Sequence, residues 1–313
     1  MTNETYLLKV CKDAGGILAH CALVFGNSRK FKILTSIARE KKKSKIIYHY
    51  GNSSRRILLD FLINSKSTRI IEIHDLLPRN KILRGTLPAL LRYFFNKADS
   101  LIVHSSHAKT LLGQIYGSHL LRKTSVIPLA VFKLKKRDTP QSGALNFLLT
   151  GRITASKNAK EILDAFRELQ KNGLDVRLTV AGAFSRGLKP EIFSCASPRI
   201  TLVDRFLSEE ELNSQISAAH YVLNLKSEDL GESSGILARC LALERPTISF
   251  NQGSNAEILE GSTLLLSKES LVADELSRII KSHSETYPKE LALVRQCRAK
   301  LHKDKILKLY AKL

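Results

Sequence analysis

The chain has 313 residues, 43% of them hydrophobic, with 50 Lys+Arg against 29 Asp+Glu and a formal net charge of +21. That length suits two domains of ordinary size or one large one, and the apolar fraction supports a sizeable core, which excludes a disordered or fibrous chain. Apolar runs such as residues 17–25 fall short of the roughly 20 residues that cross a bilayer, and no basic-then-apolar leader opens the chain.

Five scattered cysteines, never spaced C-x-x-C, point to a reduced, cytoplasmic protein without a structural zinc site. The charge is lopsided. Residues 1–137 hold 26 Lys+Arg against 7 Asp+Glu, and the remainder 24 against 22. A basic half implies an anionic partner, such as an anionic membrane surface, nucleic acid or a phosphorylated substrate; a merely soluble basic surface is the plain alternative.

In chain order, residues 6–10 suit a short strand followed by a turn at Gly15-Gly16 and a helix from Ile17. A helix from Glu4 fits equally well, because Leu7, Leu8 and Cys11 share a 3.6-residue period. KIIYHY (45–50) reads as a strand, 55–64 as a helix and RIIEIH (69–74) as a strand. A helix over 87–96 and a strand over 100–104 follow, and Ser105-Ser106 offers an N-cap to the next helix. Residues 125–131 form a last extended piece. Residues 132–144 are basic, then Pro/Ser/Gly-rich, and make a linker.

The same rhythm restarts. NFLLT (146–150) is a strand, and Asn158 with Glu161 suits a capping box. VRLTVA (176–181) and residues 199–203 are strands, and SEEE (208–211) is a second capping box. YVLNL (221–225) leads through an acidic Gly/Ser loop into a helix at 236–243, then a strand at 247–250 and a short helix from Gly253. Beyond Tyr287 one long basic amphipathic helix is expected. Strands separated by single helices indicate parallel α/β sheets, and two such domains make a cleft that suits a ligand. The expected division is 1–137, 138–286 and a C-terminal helix at 287–313 that packs back on the first domain.

The loop KSEDLGESSG (226–235) is strand, small-residue loop, helix: an arrangement that directs backbone N–H groups and a helix dipole at an anion. LIVHSSHAKTLL (101–112), FLLTGRITASKNAKEILDAFREL (147–169), LTVAG (178–182) and the stretch 206–259 together resemble the retaining GT-B glycosyltransferases of the family-four type. The resemblance implies two Rossmann-like domains facing across a cleft, the N-terminal one shortened. It also implies a nucleoside-diphosphate sugar as donor, with no metal or other cofactor.

On that resemblance Gly151, Arg152 and Lys157 hold the donor diphosphate, with Glu232, Ser233, Ser234, Gly235 and Glu257 around the nucleotide sugar. His74 and Asp75 join Glu232 as catalytic candidates, the His to hold a sugar hydroxyl and the Asp to fix its tautomer or cap the next turn. Gly15, Gly16 and His20 fall on the acceptor side. His104, His107 and His220 read as structural. Many relatives carry a second glutamate where this chain has Arg239, which either adds a cation to the nucleotide or pairs with Glu244 or Glu228. Pro128-Leu-Ala-Val131 also departs from the family's usual domain junction.

The departing phosphate helps deprotonate the acceptor in the family's proposed mechanism, so a dedicated base is not required. The expected partners are a nucleotide sugar and an anionic membrane surface or lipid-linked, polysaccharide-precursor acceptor on the inner face of the membrane. No nucleic acid is expected, since the Lys-rich runs lack interleaved aromatics. No H-E-x-x-H, G-x-S-x-G or G-x-x-x-x-G-K-[ST] segment occurs. Two other classes stay open: a GT-B-like chain that binds nucleotide without catalysis, and a nucleic-acid-binding protein.

Overall fold

Runs of aliphatic residues without polar alternation suit strands covered on both faces, which is the condition of a parallel sheet. A computed structural model describes residues 21–24, 45–50, 68–77, 87–134, 140 and 143–313. They fall into two compact units. The first comprises residues 1–129, 230–233 and 303–313, and the second residues 130–229 and 234–302.

The first unit holds a parallel sheet in the order β1 (Cys21–Val24), β2 (Lys45–Tyr50), β3 (Thr68–Ile73), β4 (Ser100–Val103) and β5 (Thr124–Val126). Helices α1 (Leu87–Lys97) and α2 (Ser106–Tyr116) supply Leu91, Phe94, Phe95, Ala108 and Leu112 to a core with Ile71, Ile73, Leu101 and Val103. The expected cap at Ser105 forms: its hydroxyl accepts from Ala108 N at 3.0 Å. The helix expected from Ile17 does not extend over residues 21–24, which instead pair with β2 in the register Cys21↔Lys45, because ladder bonds outweigh a short apolar period. Residues 6–16 and the helix expected over 55–64 lie outside the described residues.

The second unit has six parallel strands: β6 (Leu145–Thr150), β7 (Val176–Ala181), β8 (Ile200–Val203), β9 (Tyr221–Asn224), β10 (Thr247–Phe250) and β11 (Leu265–Leu266). Their order is β11-β10-β9-β6-β7-β8. The chain therefore starts at the centre, steps outward to β8, and returns to the other side of β6 at β9. Around the sheet lie α3 (Ala159–Lys171), α4 (Lys189–Phe193), α5 (Glu209–Ala218), α6 (Gly235–Ala242), α7 (Gly253–Ile258), α8 (Val272–Lys281) and α9 (His283–Lys300). Ile162, Leu163, Phe166 and Leu169 of α3 and Leu276 and Ile279 of α8 bury against Phe147, Leu149, Leu178 and Val180.

Ser208 caps α5 in the expected reciprocal box with Glu211. Glu211 is held down at about 2 by the Arg205 guanidinium beside it. The box expected at Asn158 is absent. A 3₁₀ turn over 155–157 delivers Asn158 in the left-handed region, at φ 52°, with its side chain making no cap bond to α3. The long helix expected beyond Tyr287 is two. It breaks after α9, where Val131 N donates to Leu301 O at 2.8 Å and Val131 bridges to His302. Residues after the break form α10 (Lys303–Tyr310) of the first unit.

The C-terminal part of α9 packs Val294 and Cys297 against Leu237, Leu241 and Leu259. Its buried Glu290 carboxylate accepts from Thr263 N, Thr263 Oγ1 and Ser262 Oγ, each at 2.7 Å. Cys195, Cys240 and Cys297 are buried thiols in no disulfide, and burial pushes the Cys240 thiol up to about 12. Among the described residues no helix is long and apolar enough to cross a membrane.

Between β6 and β9, His220 N donates to Asn146 O at 2.8 Å and Asn146 N donates to His220 Nδ1 at 3.0 Å. Nδ1 must therefore stay unprotonated. Burial, then the nearby His283 and Arg245, lower the pKa of His220 from 6.5 to about 4. The folded protein thus binds fewer protons than the unfolded chain between those values, so its stability falls as pH drops below 6.5 and stops falling near 4. Melting temperatures measured from pH 7.5 to 4.5 are expected to decline below pH 6.5. His220→Asn, which has no proton to take up, should flatten that decline relative to wild type.

Candidate functional site

In an open parallel sheet, ligands bind beyond the carboxyl ends of the strands, at the point where strand order reverses. In the second unit that point lies between β6 and β9. Gly151 and Arg152 follow β6 directly, and residues 225–229 follow β9.

The two loops are tied across the switch point. Ser227 N donates to Ser156 O at 2.9 Å, and Ser227 Oγ donates to the same carbonyl at 3.3 Å. Lys157, at the end of the 3₁₀ turn, bends back so that Nζ donates to Thr150 O at the end of β6. Its ammonium is therefore held over the strand end beside Gly151, while the Arg152 side chain is exposed. A second loop supports the first: the Gly182 backbone passes so close to Gly151 that a Cβ on residue 182, at φ +150°, would meet Gly151 O at 1.7 Å. Ile153 N then donates to Ala183 O and Ser185 N to Ile153 O, each at 2.9 Å, which fixes the loop after β6 against the loop after β7.

Across the switch point α6 begins. Ser234 is its N-cap, with Oγ accepting from Leu237 N at 3.2 Å and from Asn224 Nδ2 at 3.0 Å. Asn224 is buried at the end of β9, and the sequence reading missed it; a polar residue ending an apolar strand was the available signal. The cap leaves the first amides of α6, at Gly235 and Ile236, outside the helix's own bonding, with the positive end of its dipole behind them.

Arg239 lies one turn further in and pairs with neither Glu244 nor Glu228. Its guanidinium donates to Asn213 Oδ1 at 3.0 Å and Glu209 Oε1 at 3.1 Å on α5, and burial lowers its pKa. Glu244 is taken instead by Arg295 and Arg298 of α9. Glu257 is exposed on α7, whose start is fixed by Ser254 N donating to Asp229 Oδ2 at 3.2 Å.

The remaining candidates lie in the first unit. Glu232 turns back on its own loop, its Oε2 accepting from Leu230 N at 2.9 Å. That loop is seated on the end of the sheet, with Leu76 N donating to Leu230 O at 3.3 Å and Tyr116 Oη donating to Leu76 O at 2.5 Å. Ser233 Oγ is shielded from solvent and has no hydrogen-bond partner among the described residues.

His74 and the buried Asp75 follow β3. Two residues outside the expected catalytic set meet the His74 ring. His104 Nε2 lies 3.0 Å from His74 Nδ1, and Glu72 Oε1 lies 3.7 Å from His74 Nε2. His104 was not legible as a partner, since thirty residues separate it from His74, whereas Glu72 stands two residues before His74, the spacing of one strand face. Gly15, Gly16 and His20 lie outside the described residues.

These two units of parallel strands and covering helices have the fold of the GT-B glycosyltransferases. The chain is similar to a UDP-forming α,α-trehalose-phosphate synthase from Burkholderia xenovorans, at 14% identity and a TM-score of 0.68 over 91% of this chain and 79% of that one. It is similar also to a trehalose-6-phosphate synthase studied with bisubstrate glycomimetics for glycosyl transfer with retention, at 13% and 0.69 over 91% and 77%. A third is the pneumococcal O-GlcNAc transferase GtfA in complex with UDP and GlcNAc, at 16% and 0.64 over 88% and 58%. No protein-family model matches the chain, and no curated protein sequence matches it.

The contact between Gly182 and Gly151 gives a test of the loop support. Gly182→Ala is expected to destabilise the protein by about 3 kcal/mol, combining overpacking with an unfavourable φ. A shift of the urea unfolding midpoint measures it.

Proposed function

We propose that this protein is a retaining glycosyltransferase that moves a sugar from a nucleoside diphosphate, UDP in the first instance, to a hydroxyl of a lipid-linked or polysaccharide-precursor acceptor. One observation carries the reading. The strand order reverses between β6 and β9, where Gly151, Arg152 and Lys157 follow the one strand and the capped start of α6 follows the other, with Lys157 Nζ and Ile236 both beside Gly151. A diphosphate there meets two cations and the first amides of a helix, the groups that stabilise charge developing on a leaving phosphate. The UDP-bound or UDP-forming neighbours of the same fold support the choice of nucleotide.

In this reading the bond between the anomeric carbon and the phosphate oxygen breaks first. Arg152 and Lys157 neutralise the growing negative charge, the part that a metal ion plays in other sugar transferases. Lys157 exchanges its bond to Thr150 O for a phosphate oxygen. The acceptor oxygen then bonds to the anomeric carbon on the face the phosphate leaves, and its proton passes to that phosphate. Ser233 Oγ, shielded from solvent and without a hydrogen-bond partner among the described residues, is a place for a donor oxygen, because leaving it unbonded costs about 1–3 kcal/mol. Glu232 and Glu257 bind donor hydroxyls. His74 and Asp75, at the end of β3, orient the acceptor, as do Gly15, Gly16 and His20. The basic first half docks on anionic lipid at the cytoplasmic face of the membrane, where its acceptor resides.

Titration calorimetry with UDP and UDP-sugars, paired with detection of released UDP, tests the donor site. Arg152→Ala and Lys157→Ala are each expected to lower turnover on the order of 100-fold or more while the protein stays folded. Near-normal turnover in either removes that residue from the site. UDP-sugar binding without any transfer or hydrolysis, in wild type, favours a nucleotide-binding protein in which the Arg239–Glu209 pair stands where relatives have a carboxylate.

Flotation with vesicles tests the membrane. Binding should rise with anionic lipid and fall with salt, at about 1 kcal/mol per Lys or Arg at the surface. Indifference to both defeats the docking proposal.

A further inference from the structure

The ends of β3 and β4 bring together three groups: Glu72 and His74, two residues apart, and His104, thirty residues beyond His74. One ligand atom from each lies within 4.8 Å of the others. The Glu72 and His104 side chains are 2% and 1% exposed, and His74 is 27% exposed, so the cluster is closed on two sides and reached from the third.

Hydrogen bonding fixes which atoms face inward. His104 Nδ1 lies 2.8 Å from Ile127 O, and a carbonyl only accepts, so Nδ1 carries the proton. In the neutral ring Nε2 then offers its lone pair to the cluster, 3.0 Å from His74 Nδ1 and 3.4 Å from Glu72 Oε1. The carboxylate is oriented in turn by Tyr310 of α10, whose Oη donates to Oε1 at 2.8 Å.

We propose that Glu72, His74 and His104 bind a divalent transition-metal ion, Zn²⁺ foremost. Two imidazoles and one carboxylate are a familiar zinc ligand set, and they leave a fourth position for water or a substrate oxygen. Ligand atoms about 2.0–2.1 Å from a tetrahedral zinc stand roughly 3.3 Å from one another; the 3.0 and 3.4 Å separations at His104 Nε2 are close to that, and the Glu72–His74 side, within 4.8 Å, closes by a side-chain adjustment. The outer shell is also in place: a histidine whose second nitrogen is anchored on a backbone carbonyl, and a carboxylate anchored by a phenol.

In the absence of an ion, the 3.0 Å approach of the two rings requires one proton between them, and ligation through His74 Nδ1 displaces it from that position. The ion would join the ends of β3 and β4 and, through Tyr310, α10. The proposal shares His74 with the acceptor side of the transferase reading but does not rest on it: metal content is measured apart from turnover, and none of its ligands is proposed to hold the diphosphate.

The test is equilibrium dialysis of the full chain against Zn²⁺ and against Co²⁺, followed by total metal analysis. The expected result is one equivalent bound, with a visible Co²⁺ spectrum of low-symmetry nitrogen and oxygen coordination. A rise in melting temperature with Zn²⁺ should accompany it. Glu72→Gln and His104→Gln should each abolish the tight equivalent.

Because those two side chains are buried, His74→Gln and Tyr310→Phe serve as milder variants. The first should also lose the ion, and the second should weaken binding roughly 10-fold while keeping all three ligands. His119→Gln, which changes an exposed histidine bonded to Asn96, should leave the stoichiometry unchanged. Substoichiometric metal in wild type overturns the proposal, as does metal retained equally by folded His74→Gln.

Discussion

The second unit depends on one strand. β6 lies at the centre of its sheet, paired with β7 on one side and β9 on the other, and both neighbours run parallel to it. Parallel pairing forces every connection to cross over outside the sheet, so the segments leaving the strand ends emerge on a common edge. Since the chain leaves β6 toward β7 and comes back at β9, the loops after β6 and β9 diverge to opposite faces and open a gap at their start. The bonds from Ser227 to Ser156 O and from Lys157 to Thr150 O set the width and charge of that gap. The candidate diphosphate site follows from strand order, and its chemistry from the few residues that happen to stand there.

Support for the gap comes from backbone packing. Gly151 and Gly182 approach within a distance that no Cβ tolerates, which locks the loop after β6 onto the loop after β7. Asn224 does the corresponding work on the other side by holding the hydroxyl that caps α6. Arg239 adds a fixed tie from α6 to α5, so the helix whose amides are proposed to meet the phosphate is anchored at its start and one turn in.

The first unit follows the same parallel rule with a different outcome. Its described strands run in simple succession, and no reversal occurs among them. What gathers at the ends of β3, β4 and β5 is a buried polar cluster in which Ile127 O holds His104, His104 meets His74, and Tyr310 Oη donates to Glu72 Oε1. Buried polar groups are retained only when their partners are supplied, and here the last partner comes from α10, 238 residues along the chain.

The sequence by itself determined the βα rhythm of both halves, the caps at Ser105 and Ser208, the start of α6, and the loops that carry Arg152, Lys157 and Ser234. All of these are written in contiguous residues, where apolar period and capping chemistry act over a single turn or strand. Only the tertiary structure decided the reversal of strand order around β6 and the choice of Glu209 over Glu244 as the partner of Arg239. It also decided the left-handed entry at Asn158, the break between α9 and α10, and the meeting of His74 with Glu72 and His104. The strand reversal, the partner of Arg239 and the approach of His104 to His74 are selections among groups far apart in the chain, made by which elements pack side by side, and local spacing carries no record of them.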